Sequence, residues 1–223
     1  MLIVVGGHTR NIGKTSVVAG LIAAIPEVRW TAIKITQFGH GVCSADGDAC
    51  ACTVADPEHP FAISEETGAP GGTDTSRFLA AGAERAYWVR TAAGQLGYAV
   101  TALRRIFAAS PHVIVESNSI LQFFKPELYF AVMDFAVADF KATSLQYLDR
   151  ADALILTGDR AGRPAWTGVS PRLWDTKPRF YVQPPQWVTE DIAACVRGKL
   201  NSSSASTAPG VSSESFSLPG DGK

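Results

Sequence analysis

The sequence predicts an α/β protein built on a mostly parallel sheet with helices on both faces. Three observations carry this. Short apolar runs alternate with helical patterns along most of the chain. The runs read as strands buried on both sides rather than as half-exposed ribbons. The polar stretches that could bear chemistry fall directly after the runs, where parallel sheets bind their ligands.

Taken in order, "LIVVG" (2–6) reads as a buried strand and "KTSVVAGLIAAI" (14–25) as a helix. "WTAIKI" (30–35) is the next strand. "DTSRFLAAGAE" (74–84) is helical, "RAYWVRT" (85–91) a strand and "GQLGYAVTALRRIFAA" (94–109) a helix. "HVIVES" (112–117), "LYFAVMD" (128–134), "DALILTG" (152–158) and "RFYVQ" (179–183) are four further strands. "FKATSLQYLDR" (140–150) and "VTEDIAACVRGKL" (188–200) are helices. Residues 1–200 thus read as one domain, interrupted by a long connection at 39–72 that breaks the alternation. From Asn201 to Lys223, serine, proline and glycine dominate, and the tail is expected to be disordered.

The stretch "GGHTRNIGKTS" joins the first strand to the first helix. Strand, glycine turn, lysine, hydroxyl and helix form a phosphate-binding loop, in which backbone N–H groups and the positive helix end hold phosphates. The expected nucleotide contacts are Gly7 and the run Thr9, Arg10, Asn11, Ile12, Gly13, Lys14, Thr15 and Ser16. Lys14 would reach the β- and γ-phosphates, and the Thr15 hydroxyl would bind Mg²⁺. The first glycine is one residue early for the usual G-x-x-x-x-G-K-S/T spacing, because position 8 is His8. His8 has two readings, a phosphate or substrate contact and a packing residue of the loop.

A nucleotide-bound Mg²⁺ needs hard oxygen ligands beyond the phosphates. Glu116 leaves the buried strand "HVIVES", and Asp74 opens "DTSRFLAAGA". Both are candidate Mg²⁺ ligands, though Thr73 or Asp74 also reads as a helix N-cap. Lys34, at the end of the second strand, would add positive charge beside the phosphates. Lys14, Lys34 and Glu116 are the expected catalytic groups. Asp159 in "TGDRAGRP" reads as a base contact or a surface turn, and no N-K-x-D guanine motif is present.

These motifs resemble two families of P-loop NTPases. The G-x5-G-K-T spacing of "GHTRNIGKT" is similar to dethiobiotin synthetases, with Thr9 where that family carries Asp. Lys34, Asp74 and Glu116 match that family in order and setting. A second resemblance covers more of the chain. "TAIKIT", "DTSRFLAAGA", "HVIVESNSILQFFKPELYFAV" and the closing "PRFYVQPPQWVTEDIAACV" resemble molybdopterin-guanine dinucleotide biosynthesis protein B across residues 2–200, outside 39–72. Ser117 stands where that family has glycine. The resemblance implies a Mg²⁺-dependent nucleotide-binding protein with slow hydrolysis, using GTP or ATP. It would act in cofactor or metal-centre biosynthesis related to molybdenum cofactor, with a biosynthetic or metalloenzyme partner. An ATP-dependent ligase and a nucleotide-switched metallochaperone are the alternatives. Proteins of this loop class often pair active sites across a homodimer.

The 39–72 connection holds Cys43, Cys50 and Cys52 in a C-x6-C-x-C pattern, with His40 and His59 nearby. Cys43, Cys50, Cys52 and His40 are candidate ligands for zinc or an iron–sulfur cluster. A redox pair or inert thiols are the other readings. Cys195 reads as core. A net charge of −1 gives no global pull toward nucleic acid or anionic membrane. The start "MLIVVGG" lacks the basic region of a signal peptide, and no apolar stretch approaches the roughly 20 residues of a span. The expected location is cytoplasmic.

Overall fold

The computed structural model describes residues 1–38, 60–68, 72–158 and 162–205, with side chains to residue 202. The strands are β1 (Leu2–Gly7), β2 (Trp30–Phe38), β3 (Phe61–Glu65), β4 (Arg85–Ala92), β5 (His112–Glu116), β6 (Leu128–Asp134), β7 (Ala153–Thr157) and β8 (Arg179–Val182). They form a single sheet in the order β3-β4-β2-β5-β1-β6-β7-β8. Every pairing is parallel except that of β3 with β4. The fold class read from the sequence is the fold observed.

The helices are α1 (Lys14–Ala24), α2 (Asp74–Ala80), α3 (Val100–Ala108), α4 (Ala142–Leu145) and α5 (Glu190–Ala205). One face of the sheet packs on α1, α2 and α5 through Val17, Leu21, Ile22, Phe78, Ile192 and Val196. The other packs on Leu103 of α3 and on the segments after β6 and β7, through Tyr147, Leu148, Trp166 and Trp174. Trp30, Phe78 and Ile22 are fully buried, and each such side chain stabilises the fold by about 1.5–3 kcal/mol. No helix among the described residues is long and apolar enough to cross a membrane.

The structure departs from the sequence expectation in four places. Phe61–Glu65, inside the irregular 39–72 connection, is an antiparallel edge strand. Its order comes from pairing with β4, which local pattern does not reveal. The expected 94–109 helix begins as a 3-10 turn (Leu96–Ala99) and becomes α-helical only at Val100. Two glycines, Gly94 and Gly97, weaken the α-helix there. The expected 140–150 helix is a single turn, α4, followed by a 3-10 turn at Leu148–Arg150. Here tertiary contacts win, because Phe140 stacks with His8 and Trp166 while Tyr147 is buried. Lastly, α5 runs to Ala205, into the tail expected to be disordered. Ser202 Oγ donates to the Lys199 carbonyl and ties that turn down.

Candidate functional site

Strand β1 lies at the centre of the sheet, between β5 and β6. The chain leaves β1 on one side and must jump over β5 to form β2, so a crevice opens at the carboxyl ends of these strands. The loop of residues 8–13 fills this crevice. Asn11 (φ 55°) and Gly13 (φ 88°) both adopt left-handed backbone, which turns the loop back onto α1. At Gly13 an added Cβ would also lie 1.9 Å from the Trp187 ring, so only glycine fits. Gly13 caps α1 without a side-chain hydrogen bond, and the first turn carries no acid. The positive end of α1 thus has neither a side-chain cap nor an acid in its first turn to offset it.

The early glycine has a structural reason. Asn118 grips Gly7 at both backbone groups: Oδ1 accepts from its N–H at 2.9 Å and Nδ2 donates to its carbonyl at 2.9 Å. Ser144 Oγ adds a bond to the same carbonyl at 2.6 Å. His8, in the usual glycine position, is buried and turns away toward β6. Its Nδ1 donates to the Asp139 carbonyl at 2.9 Å, and its Nε2 accepts from the Asp134 N–H at 3.1 Å. Only the neutral Nδ1–H tautomer makes both bonds. Burial therefore lowers the His8 pKa, against the Asp139 bond that raises it. Phe140 and Trp166 stack against the ring. Packing is the role that the geometry gives His8.

Four charged or hydroxyl side chains meet on the β5 side of the loop. The parallel register sets Lys34 of β2 beside Glu116 of β5, both on the face covered by α1. Lys34 Nζ donates to Glu116 Oε1 at 2.5 Å and to Asp74 Oδ2 at 2.8 Å, with Thr15 Oγ1 at 3.4 Å. Thr15 Oγ1 in turn donates to Glu116 Oε2 at 2.8 Å. Glu116 is 3% exposed. Burial opposes the Lys34 charge, but Glu116 and Asp74 outweigh it and its pKa is raised. Thr73, not Asp74, caps α2, accepting from the Ser76 N–H at 3.1 Å. Asp74 is thus free to face the lysine.

Lys14 folds over its own loop and donates to the Thr9 carbonyl at 2.5 Å. Burial pushes its pKa down to about 8, partly opposed by Glu116. Thr9 donates through Oγ1 to the Asp139 carboxylate. Ser16 Oγ accepts from Arg77 of α2 at 2.9 Å. The Ile12 side chain is core, and Arg10 and Asn11 are exposed at the loop tip.

The oxygen set is the kind that suits a hard divalent cation. Thr15, Asp74 and Glu116 already surround one positive charge, the Lys34 ammonium, which stands where such an ion would be neutralised. Cys43, Cys50, Cys52, His40, His59 and Asp159 lie outside the described residues. Among the described residues no group of three or more His, Cys, Asp or Glu side chains could hold a metal by itself. Cys195 is half-buried against the core, as expected.

Sequence reasoning missed Asn118, Ser144, Asp139 and Lys141. Asn118 follows Glu116 by two residues, so its place after a strand was a usable signal. Lys141 and Ser144 sit in the 140–150 segment that reads as helix, and Asp139 lies just before it. A second concavity opens at the ends of β7 and β8, lined by Gly158, Tyr181, Val182, Gln183, Gln186 and Thr189.

No protein-family model matches the chain, and no curated protein matches it. Solved structures do. HypB from Helicobacter pylori, in complex with nickel, aligns with a TM-score of 0.49 at 12% identity, over 90% of this chain and 87% of that one. LpxK from Aquifex aeolicus, in an "apo" form in complex with ATP, aligns with a TM-score of 0.44 at 16% identity over 81% of this chain. The match spans about half of LpxK, 53% of its chain. With a glycine-bearing phosphate loop between a central parallel strand and the first helix, and an acid ending the neighbouring strand, this chain has a P-loop NTPase fold.

Proposed function

We propose that this protein binds a nucleoside triphosphate together with Mg²⁺ and cleaves or transfers its terminal phosphate. The observation that carries the reading is the cluster of Thr15, Asp74 and Glu116 oxygens around the Lys34 ammonium, beside an uncapped α1 N-terminus. Backbone N–H groups at the start of α1 would hold the phosphates. Lys14 would leave the Thr9 carbonyl for the phosphate oxygens, which offer it full negative charge. Thr15, Asp74 and Glu116 would hold the magnesium ion. Such an ion supplies positive charge shared among phosphate oxygens and fixes their orientation. Lys34, released from the acids, would remain beside the reacting phosphate as a second positive charge. Catalysis by such parts is mostly positioning and electrostatics.

The base would lie toward the concavity at β7 and β8, where Gln183 and Gln186 offer amide donors and acceptors. The sequence resemblance to molybdopterin-guanine dinucleotide biosynthesis protein B supports a place in cofactor or metal-centre biosynthesis. Calorimetric titration with ATP and GTP, each with Mg²⁺, tests the reading. The wild-type chain should bind at least one, and Lys14→Ala should weaken it by about tenfold or more. Unchanged binding in Lys14→Ala would remove the phosphate loop from the account.

A further inference from the structure

The segment that leaves β6 is strapped across the first half of the phosphate loop. The Asp139 carbonyl accepts from His8 Nδ1 at 2.9 Å, and its carboxylate accepts from Thr9 Oγ1. The Lys141 N–H donates to the His8 carbonyl at 2.8 Å. Phe140, between them, stacks on His8 with ring centroids 5.3 Å apart. Three residues on, Ser144 binds the Gly7 carbonyl. The backbone of Lys141 is therefore held to the loop from both sides.

Lys141 is extended at the start of α4 and half-buried. None of the hydrogen bonds or ion pairs among the described residues uses its ammonium. The charges that act on it are Lys14, Arg10, Asp139 and Lys34, and three of these four are positive. Burial, followed by those cations, pushes its pKa down to about 8. Asp139 is already engaged by Thr9, and Lys34 by its two acids. Lys14 sits on the carbonyl of Thr9, at the same end of the loop to which Lys141 is tied. Lys14, Arg10 and Lys34 repel Lys141 more than the engaged Asp139 attracts it, and an anion bound between Lys14 and Lys141 relieves that repulsion.

We propose that Lys141 is a further phosphate-binding lysine, which contacts the terminal phosphate of the bound triphosphate from the β6 side. The terminal phosphate is the one chosen because Lys14 reaches the β/γ end of a bound nucleotide, and Lys141 shares its end of the loop. Lys141 then faces the Thr15–Asp74–Glu116 corner across the phosphate. The inference rests on the phosphate-loop reading above.

The test compares a triphosphate and the matching diphosphate, both with Mg²⁺, on wild type, Lys141→Ala and Lys141→Arg by calorimetry. Lys141→Ala should lose about 10- to 100-fold in triphosphate affinity and keep its diphosphate affinity. Lys141→Arg should retain most of the triphosphate preference. Lys141→Met, which keeps the apolar stem, takes the place of the alanine variant if that chain fails to fold. Equal losses for both nucleotides, or no loss for either, would overturn the assignment. If the wild type binds neither nucleotide, the phosphate-loop reading fails first, and that result is distinct.

Discussion

The two flanks of the phosphate loop are built in opposite ways. On the β5 side, charges answer one another: Lys34 is bonded to Asp74 and Glu116, and Thr15 completes the ring. On the β6 side, mostly neutral groups do the holding, namely the His8 imidazole, the Thr9 hydroxyl on the Asp139 carboxylate and backbone amides, backed by Phe140 and Trp166. Among the described residues the one acid acting on the cation there, Lys141, is Asp139, which Thr9 already engages. One flank is an ion cluster complete in itself. The other is a packed frame around a half-buried cation. A single residue, Asn118, joins them, since it follows β5 in sequence yet bonds Gly7 and Ser144.

The comparison breaks most visibly at Glu116. Glu116→Ala leaves the Lys34 ammonium with Asp74 alone, at a site where Lys34 is 19% exposed, and should cost about 3 kcal/mol in urea unfolding. The double replacement Lys34→Met, Glu116→Leu should recover most of that, because it removes both buried charges together. A full loss in the double variant would mean that the acid matters for packing rather than for charge. Asn118→Ala comes next. It orphans the Gly7 N–H, removes one of the two bonds to the Gly7 carbonyl, and should cost about 1–3 kcal/mol, read as a lower urea midpoint with unchanged slope. Ser144 still reaches the carbonyl, so the N–H is the greater loss.

The smallest effect is on the β6 side and depends on pH. The His8 pKa is lowered in the folded protein, chiefly by burial, with Asp139 and Asp134 opposing and Lys14 assisting. Above the unfolded value of 6.5 both states are neutral and His8 has no effect. As pH falls through 6.5, the unfolded chain takes up a proton that the folded chain refuses, so stability declines until the folded pKa is reached. His8→Asn should flatten this decline. His112, also lowered by burial, leaves a residual slope. An unchanged decline in His8→Asn would show that the ring is not held neutral.

How far the sequence reveals these flanks follows from the same difference. Asp74 and Glu116 were legible because one begins an element and the other ends one, and the carboxyl edge of a parallel sheet gathers such residues; Lys34, read at the end of a strand over 30–35, lies inside β2, which runs on to Phe38. The parallel register then makes Lys34 and Glu116 neighbours, which no spacing along the chain could show. The strap was hidden. "FKATSLQYLDR" has helical periodicity, but its Phe140 serves the loop rather than a helix face, and only the one-turn α4 forms. The role of His8 was open from sequence, since a histidine in a phosphate loop reads equally as ligand or as packing. Its two backbone partners lie more than a hundred residues away, at Asp134 and Asp139. Strand β3 was hidden for the same reason, as its order depends on β4.

If Thr15, Asp74 and Glu116 form the metal corner of a nucleotide site, Mg²⁺ acts on binding through them. The most direct measurement is triphosphate affinity with and without Mg²⁺, in the wild type and in the Asp74→Asn, Glu116→Gln variant. The account predicts that Mg²⁺ strengthens binding to the wild type and has almost no effect on the variant, which still binds the metal-free nucleotide. An undiminished Mg²⁺ enhancement in the variant would contradict it.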